Sequence, residues 1–86
     1  MATYLITYDL QDPSKEKALL DYLVNGTLAT KSSYLLTTSS ETPQQLVDAI
    51  RAIANDKIHV YVFTIAKPYY GFGPNAANDW LTKHLP

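Results

Sequence analysis

The residue most open to a chemical role is Asp9, which follows the run Thr3-Tyr4-Leu5-Ile6-Thr7-Tyr8. Rich in β-branched and aromatic side chains, that run reads as a strand, so Asp9 stands at its C-terminal end. A carboxylate there suits a hard divalent cation, since magnesium often uses only one or two protein carboxylates. Such an ion, Mg2+ or Mn2+, polarises a phosphodiester or lowers the pKa of a bound water. The same carboxylate serves equally well as a turn residue that accepts backbone N–H bonds. Asp12 is close by, but its place ahead of Pro13 makes it a helix N-cap.

Other catalytic templates are missing. There is no cysteine, and hence no thiolate nucleophile or thiolate metal site. Gly71-Phe72-Gly73 does not introduce a strand-to-helix turn, so it reads as an aromatic turn rather than a pyrophosphate loop. His59 and His84 lie far apart with no i, i+4 partner, which is not metal-ligand spacing. His59 falls mid-strand in an apolar run and reads as a satisfied or interface histidine. His84 falls near a helix end, where a cation meets the negative end of the dipole. Tyr69, Tyr70 and Phe72 suit base stacking, although aromatics more often fill cores and interfaces.

The elements that must position these groups follow from periodicity and punctuation. After the first strand, Asp12-Pro13 opens a helix that turns Leu19, Leu20, Leu23 and Val24 inward and closes at Asn25-Gly26, with the glycine in the left-handed conformation. Residues 27–30 form a short strand or edge, and residues 33–38 a better strand, bounded by a Ser39-Ser40 turn. Thr42-Pro43-Gln44-Gln45 combines an N-cap, Pro at N1 and Gln at N3, the pattern of a capping box. Leu46, Val47, Ile50, Ile53 and Ala54 then recur at helical spacing until Asn55-Asp56. Residues 58–65 are the most hydrophobic run. Ile58, Val60 and Val62 alternate with Tyr61, Phe63 and Ile65, which predicts a strand buried on both faces. Asn75 caps a last helix whose Trp80, Leu81 and Leu85 point to the core.

Strand, helix, strand, strand, helix, strand is the split βαβ pattern. The expectation is an α+β, ferredoxin-like βαββαβ sandwich with a short C-terminal helix, one domain over residues 1–86. Its core should hold Tyr4, Ile6, Leu19, Leu23, Leu46, Ile50, Ile53, Val60 and Val62. The opposite face, with Thr3, Leu5, Thr7, Ser33, Leu35 and Thr37, is half polar. A chain of 86 residues buries a modest share of its surface. A homodimer using that face and residues 67–72 is therefore expected. A net charge of −1 argues against a constitutive nucleic-acid coat, whose footprint is a basic stripe. No signal peptide or membrane span is legible, and the simplest compartment is the cytoplasm.

Tyr4-Leu5-Ile6-Thr7-Tyr8-Asp9-Leu10 resembles the opening strand of the small CRISPR-associated Cas-two proteins, which end that strand in Tyr-Asp-Ile or a close variant. The chain is still more similar to the SinR-like bacterial and phage members of that superfamily. That similarity rests on the start, on Ser33-Tyr34-Leu35-Leu36, and on an ending like Asn78-Asp79-Trp80-Leu81. The resemblance implies a ferredoxin-like homodimer whose two Asp9 carboxylates face each other across the dimer cleft. It also implies a Mg2+ or Mn2+ site there and cleavage of RNA or DNA, a metal-dependent endonuclease or phosphodiesterase. Asp9 is then both catalytic residue and metal ligand, with Lys15, Lys17, Tyr69 and Tyr70 as nucleic-acid contacts. Those relatives usually carry several arginines after the aspartate, whereas this chain has Lys15 and Lys17 there and a sole arginine at Arg51. The alternative is a non-catalytic dimeric module for a partner protein or small nucleotide.

Overall fold

The computed structural model describes residues 2–24, 26–38 and 40–85. They form β1 (Ala2–Leu10), a 3-10 turn (Pro13–Lys15), α1 (Glu16–Tyr22), β2 (Thr27–Thr30), β3 (Ser33–Thr38), α2 (Pro43–Ile53), β4 (Ile58–Thr64) and α3 (Asn75–His84). The four strands make one antiparallel sheet in the order β2-β3-β1-β4. β1 and β2 therefore run parallel with β3 between them, and β4 is an edge.

Alternation along β1 assigns its two faces. Tyr4, Ile6 and Tyr8 are buried on the face that carries α1 and α2, where they join Leu19, Leu23, Tyr34, Leu36, Leu46, Ile50, Ala54 and Ile58 in one cluster. Ile53, Val60 and Val62 pack against this cluster but are only partly buried. Local chemistry sets the helix ends. The Asp12 carboxylate accepts from the Ser14 amide at 3.1 Å and from its hydroxyl at 2.6 Å, which opens the turn into α1 as expected for a cap. At α2 the capping box is complete: Gln45 N–H donates to Thr42 Oγ1 at 3.2 Å, and Thr42 N–H to Gln45 Oε1 at 2.8 Å. Asn55 and Asp56 end α2 with φ of 52° and 61°, a left-handed conformation that Asn and Asp tolerate through local hydrogen bonds.

Several expectations are corrected. α1 stops at Tyr22, two residues short of Val24, which does not turn inward and is 71% exposed. No described glycine has a positive φ. Gly26 is instead required by crowding, because a Cβ there would lie 1.9 Å from the Leu35 carbonyl oxygen. Asn25 and Ser39 fall outside the described residues. β1 runs through Asp9 to Leu10 rather than breaking at Asp9. α3 begins at Asn75 with Pro74 in the cap position and no side-chain cap bond. Trp80 is only partly buried and stacks on the His84 ring, centroids 4.2 Å apart.

The largest correction concerns β4. As an edge strand it is covered on one face alone, and Tyr61 and Phe63 stay 67% and 51% exposed. A hydrophobic run on both sides did not find two protein layers within one chain.

A polar clasp joins α1 to the segment before α2. Tyr22 Oη donates to the Glu41 carboxylate at 2.6 Å, and Tyr4 Oη donates to the Glu41 carbonyl at 3.0 Å. Burial first, and the carboxylate second, push the Tyr22 phenol up to about 12.

Candidate functional site

The sheet face opposite α1 and α2 is divided. Toward β2, the C-terminal helix closes over it: α3 lies against β2, and Leu35, Ala77 and Leu85 are buried. Toward β4 it stays open. There the register pairs Leu5 with Phe63, Thr7 with Tyr61 and Asp9 with His59. All six side chains share one face by the pleat, and Asp9, His59, Tyr61 and Phe63 are exposed. The Tyr61 and Phe63 rings stack with centroids 6.4 Å apart.

Asp9 thus sits near the end of a central strand on the open half-face. The ion pairs among the described residues, Lys17–Asp21 at 3.1 Å and Arg51–Asp56 at 2.9 Å, leave it out. Among the described residues no three His, Cys, Asp or Glu side chains come together at one point. One chain by itself therefore offers Asp9 and its neighbour His59, not a closed cage. Asp12 is engaged at its cap, where the Ser14 hydroxyl and amide hold its carboxyl below the usual range, helped by Lys15 and Lys57.

The other sequence-assigned residues are dispersed. Lys15 belongs to the 3-10 turn that follows β1, on the connection nearest Asp9. Lys17 is on α1, paired with Asp21. Tyr69 and Tyr70 follow Ile65, whose amide bonds the Thr3 carbonyl. The chain therefore leaves the sheet at the far end of β1, about 20 Å along the strand from Asp9. Residues 66–74 have no regular secondary structure, and Tyr70 and Phe72 are fully exposed. In this chain they neither cap a sheet edge nor enter the core. With Leu5, Leu35, Ile65, Ala77 and Leu81, this segment borders an apolar groove of about 500 Å³.

Two residues near Asp9 went unassigned from sequence. His59 was read as a satisfied or interface histidine; it is exposed and stands opposite Asp9. Lys57 precedes β4, and its carbonyl accepts from Gln11 N–H at 3.0 Å, which brings it to the loop after β1. No sequence spacing signals either, because 50 residues separate the partners that the β1–β4 pairing joins. Arg51, the sole arginine, lies on α2. With Val47, His59 and Tyr61 it borders a shallow hollow of about 230 Å³ beside β4.

No protein-family model matches the chain, and no curated protein does. Among solved structures, it is similar to the crystal structure of hypothetical protein TT1823 from Thermus thermophilus, with a TM-score of 0.65. That match covers 85% of this chain and 94% of the other at 18% identity. At such identity the likeness is one of fold. No helix among the described residues is long and apolar enough to cross a membrane.

Proposed function

We propose that two copies of this chain form a Cas-two-like dimer of ferredoxin-like subunits that acts on nucleic acid, with Asp9 of each copy serving metal-dependent cleavage of a phosphodiester. The observation that carries this reading is Asp9 itself: an exposed carboxylate, outside the described ion pairs, near the end of a central strand on the open half of the sheet. The strand order, with β3 between parallel β1 and β2, is what a split βαβ unit requires. Tyr61, Phe63, Tyr70 and Phe72 are each more than half exposed, and exposed aromatics of this kind suit a protein interface.

The donor set fits a hard cation, since one carboxylate from each of two chains meets the common minimum for magnesium. When bound, Mg2+ or Mn2+ supplies charge stabilisation at a phosphoryl oxygen or a more acidic water. The protein's own part is positional. β1 is paired with β3 as far as Thr7 and with β4 through Asp9 and Leu10, so the β4 pairing holds the Asp9 backbone while the carboxylate stays in solvent. Lys15 and Lys57 flank the adjoining loop.

A second reading, a non-catalytic dimeric binding module, is favoured by the cations. Arg51 and Lys17 are each held by an aspartate, which weakens any grip on a phosphate backbone. Incubating the protein with labelled RNA and DNA, with and without Mg2+ or Mn2+, separates the two. Metal-dependent cleavage that disappears in Asp9→Asn supports the nuclease. Retention without cleavage supports the module. Cleavage that survives in Asp9→Asn places the activity elsewhere and overturns the role of Asp9.

A further inference from the structure

The β1–β4 register sets Asp9 directly opposite His59. Both side chains stand on the open half-face and both are exposed. Directly opposed residues of an antiparallel pair have Cβ atoms about 4.5–5.5 Å apart. Two donors each about 2.1 Å from one metal ion stand about 3 Å from each other, and the backbone spacing of directly opposed positions allows both side chains to turn toward one ion. Neither is committed to an ion pair among the described residues. The nearest other carboxylate in sequence, Asp12, is held by its cap bonds to Ser14.

We propose that His59 is a second metal ligand beside Asp9, so that each chain presents a carboxylate–imidazole pair selective for a borderline first-row ion over Mg2+. The inference rests on the reading of Asp9 as a metal ligand and adds the identity of its neighbour and of the ion. The chemistry of the donors decides the selectivity. Carboxylates alone suit Mg2+ and Mn2+, whereas an imidazole nitrogen favours zinc-like ions, and affinity for such a site rises from Mn2+ to Co2+. Magnesium also keeps its waters and seldom accepts nitrogen in their place. Two ligands from one chain leave open positions, which waters, a substrate oxygen or a second copy's pair complete.

The test uses Co2+ as probe, followed by its visible absorption and by titration calorimetry, against Mg2+ in parallel. The wild-type protein is expected to bind Co2+ more tightly than Mg2+ and to develop ligand-field bands. His59→Ala should lose those bands and most of the Co2+ affinity while Mg2+ binding is unchanged. Asp9→Asn should weaken both ions. Both residues are exposed, so melting profiles of the two variants should match the wild type. His84→Ala is the control, because that histidine stacks on Trp80 at the end of α3, and it should leave Co2+ binding intact. Equal Co2+ binding in wild type and His59→Ala overturns the ligand role of His59 yet leaves Asp9 and the nuclease reading standing. Tight Co2+ binding through both residues without nucleic-acid cleavage supports this inference and removes the nuclease. If the wild type binds neither ion, the inference fails together with the metal role of Asp9.

Discussion

The two faces of the sheet are built from the same four strands and come to opposite ends. Toward α1 and α2, every second residue of β1 meets a helix, and Ile6, Leu19, Leu23, Leu46 and Ile50 lose all contact with solvent. On the other face, α3 seals the half above β2, and the half above β4 keeps Tyr61, Phe63 and His59 exposed. One face carries the stability of the fold. The open half of the other carries groups that the packing of the chain leaves in solvent, a carboxylate and an imidazole beside exposed aromatics.

That contrast is sharpest in substitutions. Ile50→Ala removes a fully buried side chain and should destabilise the fold by about 2–5 kcal/mol in denaturant melts. Tyr61→Ser on the open half should change the stability of the single chain by no more than ~0.5 kcal/mol, and light scattering should report loss of the proposed dimer. Comparable destabilisation by both would erase the distinction between the faces. Next in size is Gly26→Ala, where the new Cβ meets the Leu35 carbonyl. Overpacking of this kind costs roughly 1–3 kcal/mol, and the melt of that variant should fall between the first two.

Smaller effects sharpen the covered side further. Thr42→Ala removes one half of the α2 capping box and should cost ~1 kcal/mol, with Thr42→Ser restoring it. The least is expected from Tyr22→Phe, and its signature is pH. The Tyr22 phenol titrates near 10 when unfolded and at about 12 in the fold. Its contribution is therefore complete below pH 10 and is lost as pH rises from there through about 12. Stability of Tyr22→Phe, followed by denaturant midpoints across that window, should fall less steeply than that of the wild type. Parallel slopes would show that the clasp to Glu41 does not sense its proton.

Legibility in the sequence tracked the range of each interaction. Although the left-handed conformation was expected at Gly26 and is found at Asn55 and Asp56, the α2 capping box and the stop at Asn55-Asp56 are contained within a few residues, and both were readable. So were the core positions Tyr4, Ile6, Leu19, Leu23, Leu46 and Ile50, because a 2.0 or 3.6 period survives any tertiary arrangement. The fate of β4 was not. Its apolar residues on both sides look the same whether the strand is central or at an edge, and only the order β2-β3-β1-β4 decides. The helix end at Tyr22 was missed for a related reason, since Gly26 answers to a carbonyl from β3 rather than to its own helix.

For the candidate site the division is the same. Residue type and position at a strand end drew attention to Asp9 but fitted a turn residue as well as a metal ligand, and the metal role came only with the family resemblance. His59 was legible only as one polar residue within an apolar strand, and Lys57 and Arg51 gave no signal at all. Strand pairing brings residues from opposite halves of the chain to adjacent positions, and nothing in their local sequence records it. The chain alone determined which segments become helix or strand and which faces of β1 and α2 are buried; the strand order and the β1–β4 register, long-range contacts, decided that one face of β4 stays open and which side chains stand beside the carboxylate.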